Sequence, residues 1–428
     1  MLYIFSILVV LILVIPPTHA LEPIWTYSST GTSIKGVTVS ADGSAVAVGA
    51  EKIWLFSKNG ELLAKEPYGE EVLFTPDGVH LLSSYASTLY FFERNASISS
   101  FQKKWDYELP GLVQSIDMSD DGNVIAAAAG AGGTYVFSGS GKMTGGNKIY
   151  SALVRVSPDG QSIMGASMLG LYRLSSKGKE TWYSNISMDS EPDVMELTGT
   201  GATVVYNNAQ RLVSVNAASG DGAERWKTRA TAGVTALTMI PSGTKILVGT
   251  QDGNINLFDD KGNLSWGYAT SPAGTTGTMV REVALSSDGK IVAAGTYEGK
   301  VVVLDAAGKE LWSNQTRDHI NHIAMSADGS LVIATGDETV YAFSSSVQPL
   351  TTVRSPQVTP TLVQQKNATT VPKTTATQKP AITDSATRPI TSEPTPYSVI
   401  RTATQSPGSE IIPLLGMIIT VLFIIRRR

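Results

Sequence analysis

Apolar residues fall into the same columns eight times along this chain, each time around a turn glycine: Gly43, Gly78, Gly122, Gly160, Gly201, Gly243, Gly289 and Gly329. Six residues before the glycine stand Val37, Val72, Ile116, Val154, Met195, Leu237, Val283 and Ile323. Four before it stand Val39, Phe74, Met118, Val156, Leu197, Met239, Leu285 and Met325. A spacing of two is the period of a strand with one buried face. Three residues past the glycine the chain is apolar again, from Val46 and Leu81 to Val292 and Val332, so a second strand returns from the turn. Each unit therefore opens with a hairpin.

The turns read VSADG, FTPDG, MSDDG, VSPDG, LSSDG and MSADG, with looser versions at Gly201 and Gly243. Aspartate and serine hydrogen-bond the local backbone there, and glycine supplies a positive φ angle. This assigns Asp42, Asp77, Asp121, Asp159, Asp288 and Asp328 to the turns rather than to a calcium site, which needs clustered oxygen ligands.

A third strand, such as 254–258 or 300–304, leads through a second glycine turn to a tryptophan four residues later: Gly178 to Trp182, Gly222 to Trp226, Gly262 to Trp266 and Gly308 to Trp312. Trp25 and Trp105 stand in looser contexts. Four strands per unit, at a mean interval of about 41 residues, give an all-β, eight-bladed propeller. The last unit lacks a tryptophan strand, and the lone stretch LEPIWTYS is expected to complete it, closing the ring.

The flanks have a different composition. Residues 1–20 read as a signal peptide: an apolar run, Pro16-Pro17, then the small-residue site Thr18-His19-Ala20. Residues 21–347 hold the propeller. Residues 348–409, rich in Thr, Ser and Pro, read as a stalk that buries too little apolar surface to fold. Residues 410–428 carry an apolar run ending in Arg426-Arg427-Arg428, which predicts a carboxy-terminal transmembrane helix with its basic end cytoplasmic and the body outside.

The small pair followed by Gly-Lys-Glu-Leu-Trp at 306–312 resembles the repeat of PQQ-type quinoprotein propellers, and the Ser-x-Asp-Gly hairpins resemble WD40-related repeats. The resemblance implies that Trp25, Trp105, Trp182, Trp226, Trp266 and Trp312 wedge between adjacent blades. Pro407-Gly408, the apolar run and the basic end are similar to archaeal cell-surface sorting signals, with Ser409 where a Phe is usual.

Chemistry is sparse. There is no cysteine, a net charge of −4 and no basic face, which disfavours thiol chemistry and nucleic acid. Past the signal peptide the histidines are His80, His319 and His322, too few for a His-rich metal site. The calcium ligands, catalytic Asp and vicinal cysteines typical of quinone dehydrogenases have no match, so no cofactor is expected. Asn95, Asn185, Asn263, Asn314 and Asn367 head Asn-x-Ser/Thr sequons, as suits an exported glycoprotein.

The entries to the first strands rim a propeller's channel mouth. They lie seven and eight residues before the turn glycine, and Lys35, Glu70, Glu71, Arg281, Glu282, Asn321 and His322 make a charged arc there on blades seven, eight, one and two. Blades three to six offer far less charge at those positions. Convergent polar groups beside a concave mouth are where a ligand is expected. The expected function is a non-catalytic cell-surface scaffold for a protein or glycan partner, anchored to the membrane. The alternatives are a structural surface-layer component and an extracellular enzyme with its site at the channel mouth.

Overall fold

The computed structural model describes residues 21–345, apart from 96–99, 185–189, 191, 219–221, 273, 274 and 276. The expected signal peptide, stalk and anchor lie outside the described residues. Among the described ones no helix is long and apolar enough to cross a membrane.

Eight antiparallel sheets follow one another around a ring. Blade seven is representative, with strands Val280–Leu285, Ile291–Thr296, Lys300–Asp305 and Glu310–Gln315 running from the channel outward. The second and third strands are almost wholly buried and the fourth alternates, because the middle of each sheet is covered on both faces by the neighbouring blades. Each interblade core thus draws on two successive sheets, as Ala236, Leu247 and Ile255 of blade six pack with Val283, Val292 and Val302 of blade seven. A fully buried Val, Leu or Ile contributes about 1.5–3 kcal/mol over its exposed state, and the ring repeats this at every junction.

Blade one departs from the pattern. Its Ala45–Ser57 is one 13-residue strand whose first half pairs with Gly36–Val39 and whose second half pairs with Leu62–Gly69, filling the place of two strands elsewhere. The ring closes at blade eight, where Trp25–Ser28 pairs antiparallel with Thr339–Ser344 as the outermost strand.

Two faces result. The glycine turns of the opening hairpins and the turns before the fourth strands share one, the turn face. There main-chain bonds tie blade to blade, including Ala41 N–H to the Pro76 carbonyl (2.9 Å), Asp120 to Pro158 (3.0 Å), Gly199 to Pro241 (2.7 Å) and Ala327 to Ala41 (2.8 Å). The links between blades and the turns between second and third strands share the opposite, connector face. Ser345 donates its N–H to the Ser330 carbonyl (3.0 Å), so the described chain ends on the turn face.

Candidate binding channel

The turn aspartates are spent locally. Ser40 Oγ donates to Asp42 Oδ1 (2.7 Å), the same oxygen accepts the Ser44 N–H (2.9 Å), and Ser40 Oγ accepts the Ala45 N–H (3.0 Å). The triangle recurs at Thr75/Asp77, Ser119/Asp121, Ser157/Asp159, Ser286/Asp288 and Ser326/Asp328. Hydrogen bonds from Ser44 and Ser40 hold the Asp42 carboxyl below its ordinary range.

The tryptophans occupy the blade junctions. Trp25 Nε1 donates to the Lys58 carbonyl (2.9 Å), Trp105 to Gly139 (2.9 Å), Trp182 to Ala217 (3.0 Å), Trp226 to Asp260 (2.8 Å) and Trp266 to Ala306 (3.0 Å). Each acceptor belongs to the turn before the fourth strand of the next blade, or in blade one to the corresponding turn before Leu62–Gly69. Trp312 is buried against Phe343 with ring centroids 5.2 Å apart, and its Nε1 has no partner among the described residues. Two junctions dispense with an indole. Ala64 takes the tryptophan position in blade one, and in blade three Gly145 takes it, where Gly146 N–H bonds the Gly178 carbonyl of blade four directly (3.1 Å).

Inside the ring, the innermost strands present an open hydrogen-bonding edge to the channel. Polar side chains of one blade accept the free N–H groups of the next. Thr38 Oγ1 accepts from Phe74 (3.3 Å), Asp117 Oδ2 from Val156 (2.7 Å), Glu282 Oε2 from Ile323 (2.9 Å), and the Glu71 carboxylate from Ile116. The donors and acceptors keep one register. A side chain seven residues before its turn glycine reaches the N–H six before the next glycine, and one at five reaches the N–H at four.

The channel holds two chambers that share Arg155 and Glu196. One, of about 430 Å³, opens toward the turn face and is lined by Glu71, Asp117, Asp120 and three prolines. The other, of about 380 Å³, lies toward the connector face and is lined by Arg281, Glu282, Asn321 and His322. Between them Arg155 Nε stands 3.5 Å from Glu196 Oε1. Three carboxyls surround this single guanidinium. Burial pushes Glu71 and Glu196 up to about 7 and Asp117 up to about 6, against the opposing pull of Arg155. Burial also works against the charge on Arg155, but Glu196, Asp117 and Glu71 outweigh it and raise its pKa.

The rim residues read from the sequence divide. Arg281, Glu282, Asn321 and His322 come together in the connector-face chamber, with His322 Nδ1 3.3 Å from Glu282 Oε2 and Asn321 Nδ2 donating to Asp337 (2.8 Å). Glu71 instead joins the half-buried charge cluster of the other chamber, and exposed Lys35 and Glu70 line neither. The sequence reading placed little charge on blades three to six. That holds at the rim and fails one step deeper, because Asp117, Arg155 and Glu196 of blades three to five form the densest charge in the channel. Each lies five residues before its turn glycine, between two apolar columns. The signal was a charged residue in that intervening column, where the other blades carry Thr38, Leu73, Thr238, Ala284 and Ala324.

Histidines 319 and 322 do not share a site: His319 stacks on Tyr297 with centroids 4.1 Å apart, away from Glu282. Of the sequons, Asn263 is exposed, with its amide on Asp259 (2.9 Å). Asn314 requires a correction. It is 9% exposed and its amide nitrogen donates to the Leu21 carbonyl (2.8 Å), so the atom that would carry a glycan is committed to the fold. The side chain of Asn95, and Asn185 and Asn367 altogether, lie outside the described residues.

With this geometry in hand, comparison with known proteins identifies the architecture. A PQQ-type family described as outer membrane protein assembly factor BamB matches residues 167–379. No curated protein matches the chain in sequence. Among solved structures, Sqt1 of Chaetomium thermophilum bound to the N-terminus of the ribosomal protein L10 superposes with a TM-score of 0.66 at 16% identity, covering 76% of this chain and 100% of that one. Sqt1 of Saccharomyces cerevisiae (0.64, 13% identity, 76% and 99%) and the C-terminal WD40 domain of Sif2 (0.64, 14%, 76% and 98%) superpose similarly. The chain has the fold of an eight-bladed WD40-type propeller.

Proposed function

We propose that this chain is a non-catalytic propeller scaffold that holds a polypeptide partner at the connector-face mouth of its channel, displayed outside the cell and retained by its carboxy-terminal residues. The observation that carries the binding reading is the connector-face chamber. Glu282 is held by the Ile323 N–H and by His322, whereas Arg281 is exposed and makes no ion pair among the described residues. A guanidinium poised over a concave, polar-lined mouth is suited to recognising carboxylates and backbone carbonyls. Sqt1, of the same architecture, was crystallised with the N-terminus of a protein bound to it. The outside location rests on the apolar ends and the Thr/Pro-rich composition of residues 348–409.

The test places a photo-crosslinking residue at Arg281 of the full chain in its native membrane and identifies the captured molecule by mass spectrometry. A polypeptide is expected, whose affinity falls at least tenfold in Arg281→Ala with His322→Ala and weakens with added salt. Capture of glycan alone, or affinity that ignores both substitutions, overturns the reading.

A further inference from the structure

Among the described residues, exposed large apolar side chains occur singly on several blades, as at Ile24, Tyr68, Leu264 and Tyr297, and as a group on blades three and four. Leu112 (63% exposed), Leu169 (60%), Met168 (57%), Tyr150 (43%) and Tyr183 (40%) all belong to blades three and four or to the links entering them. The links and turns among them lie on the connector face, and Tyr183 is tied to the Met168-Leu169 turn by its hydroxyl, which donates to the Leu169 carbonyl (2.9 Å). Clusters of this kind on a soluble surface mark places where another molecule sits.

The sequence shapes a depression there. The turn between the second and third strands of blade three is Gly130-Ala131-Gly132-Gly133, whose small residues leave a low floor. Gly132 packs close to Pro110, and Gly130 to Tyr150, with 3.7 and 3.8 Å left for any added Cβ. Pro110, Leu112 and Tyr150 thereby wall a hollow of about 410 Å³ in which no charged side chain takes part. Its inner edge is Gln114, eight residues before the turn glycine, the same position in its blade as Arg281 and Asn321 of the mouth. Hollow and channel mouth therefore open on the same face of the ring.

We propose that this hollow is the apolar anchor pocket for the partner polypeptide, taking one uncharged aliphatic or aromatic side chain while the flanking residues reach the channel mouth. This deepens the scaffold reading and rests on it. Two features select the occupant. An ionised side chain would lose hydration in the hollow and find no counter-charge, whereas an apolar one gains from leaving water. The backbone N–H groups of exposed Leu112 and Ala131 bond no acceptor among the described residues, so they remain open to a polypeptide's carbonyl oxygens.

The experiment pans a phage-displayed library of random dodecapeptides on the full chain and measures the selected peptides against three variants. Peptides sharing an aliphatic or aromatic residue are expected. Their affinity should fall at least tenfold in Leu112→Ser with Tyr150→Ser, and equally in Ala131→Trp, which fills the hollow without removing a wall, at an unchanged melting temperature. Peptides weakened by Arg281→Ala with His322→Ala but indifferent to the hollow variants would overturn the anchor pocket and leave the mouth reading standing. Failure to select any peptide, or attachment through Leu112 to phosphatidylglycerol vesicles instead, would overturn both.

Discussion

The indole of Trp266 lies on Gly308 of the following blade so closely that a Cβ built on that glycine would come within 2.6 Å of the ring. The contact recurs at Trp25 on Gly60, Trp105 on Gly141 and Trp226 on Gly262. Gly308 is thus required for two reasons, its φ of +80° and the neighbouring ring. Gly308→Ala and Trp266→Ala are each expected to cost about 2–3 kcal/mol in urea unfolding of the full chain. The double variant should cost less than the sum, because both changes break one contact; strict additivity would show that the indole and the turn act independently.

Removal of residues 21–28 should strip blade eight of its outer strand and leave the Lys58 turn of blade one without its indole. A melting temperature lower by roughly 5–10 °C is expected, in line with loss of a few kcal/mol from a cooperative domain. An unaltered melt would mean that the ring does not depend on this closure.

Stability should also depend on pH through the channel. Glu71 and Glu196 titrate near 7 and Asp117 near 6 in the folded chain, above their values in an unfolded one. A carboxyl raised in this way favours the fold fully while protonated, below about pH 4, and that contribution is lost as pH rises through 6 to 7. For Glu196 the difference corresponds to roughly 3 kcal/mol at most. Glu196→Gln should therefore melt closer to the unmodified chain at pH 5 than it would if the loss were uniform, and should lose less stability on going to pH 8. Parallel pH profiles for the two proteins would exclude the channel carboxyls as the source.

Ser214 offers a stabilising change. It faces Trp226 across the sheet, at the position that Leu257 and Val303 hold opposite Trp266 and Trp312, and its buried hydroxyl has no partner among the described residues. A pocket of about 110 Å³ opens beside it. Ser214→Val should remove an unsatisfied group and refill part of the space, gaining on the order of 1 kcal/mol in denaturant unfolding. A loss would show that the hydroxyl is satisfied by water held in the pocket.

The blades were legible in the sequence because a sheet covered on both faces demands apolar residues in fixed columns, and eight repetitions make the columns unmistakable. The closing strand was legible for the same reason: Phe343 ends a unit that lacks its fourth strand, and Trp25 begins a strand that lacks its unit. The channel was harder to read. Glu71 looked like a rim residue, yet its carboxyl turns inward to meet the Ile116 N–H, a partner in another blade that no local pattern announces. Asp117, Arg155 and Glu196 are separated by about 40 residues each in sequence, and only the packing of successive blades brings them together. Asn314 carries a perfectly ordinary sequon whose burial under Leu21 depends on how the amino-terminal stretch crosses blade seven.

The exit of the chain at Ser345, beside the Ser330 turn, gives the ring a back and a front. On the back, main-chain bonds between turns stitch blade to blade, so that side of the disc is the reinforced one. The mouth with Arg281 and the hollow beside Leu112 look the other way, onto the side whose loops are joined by fewer main-chain bonds from blade to blade.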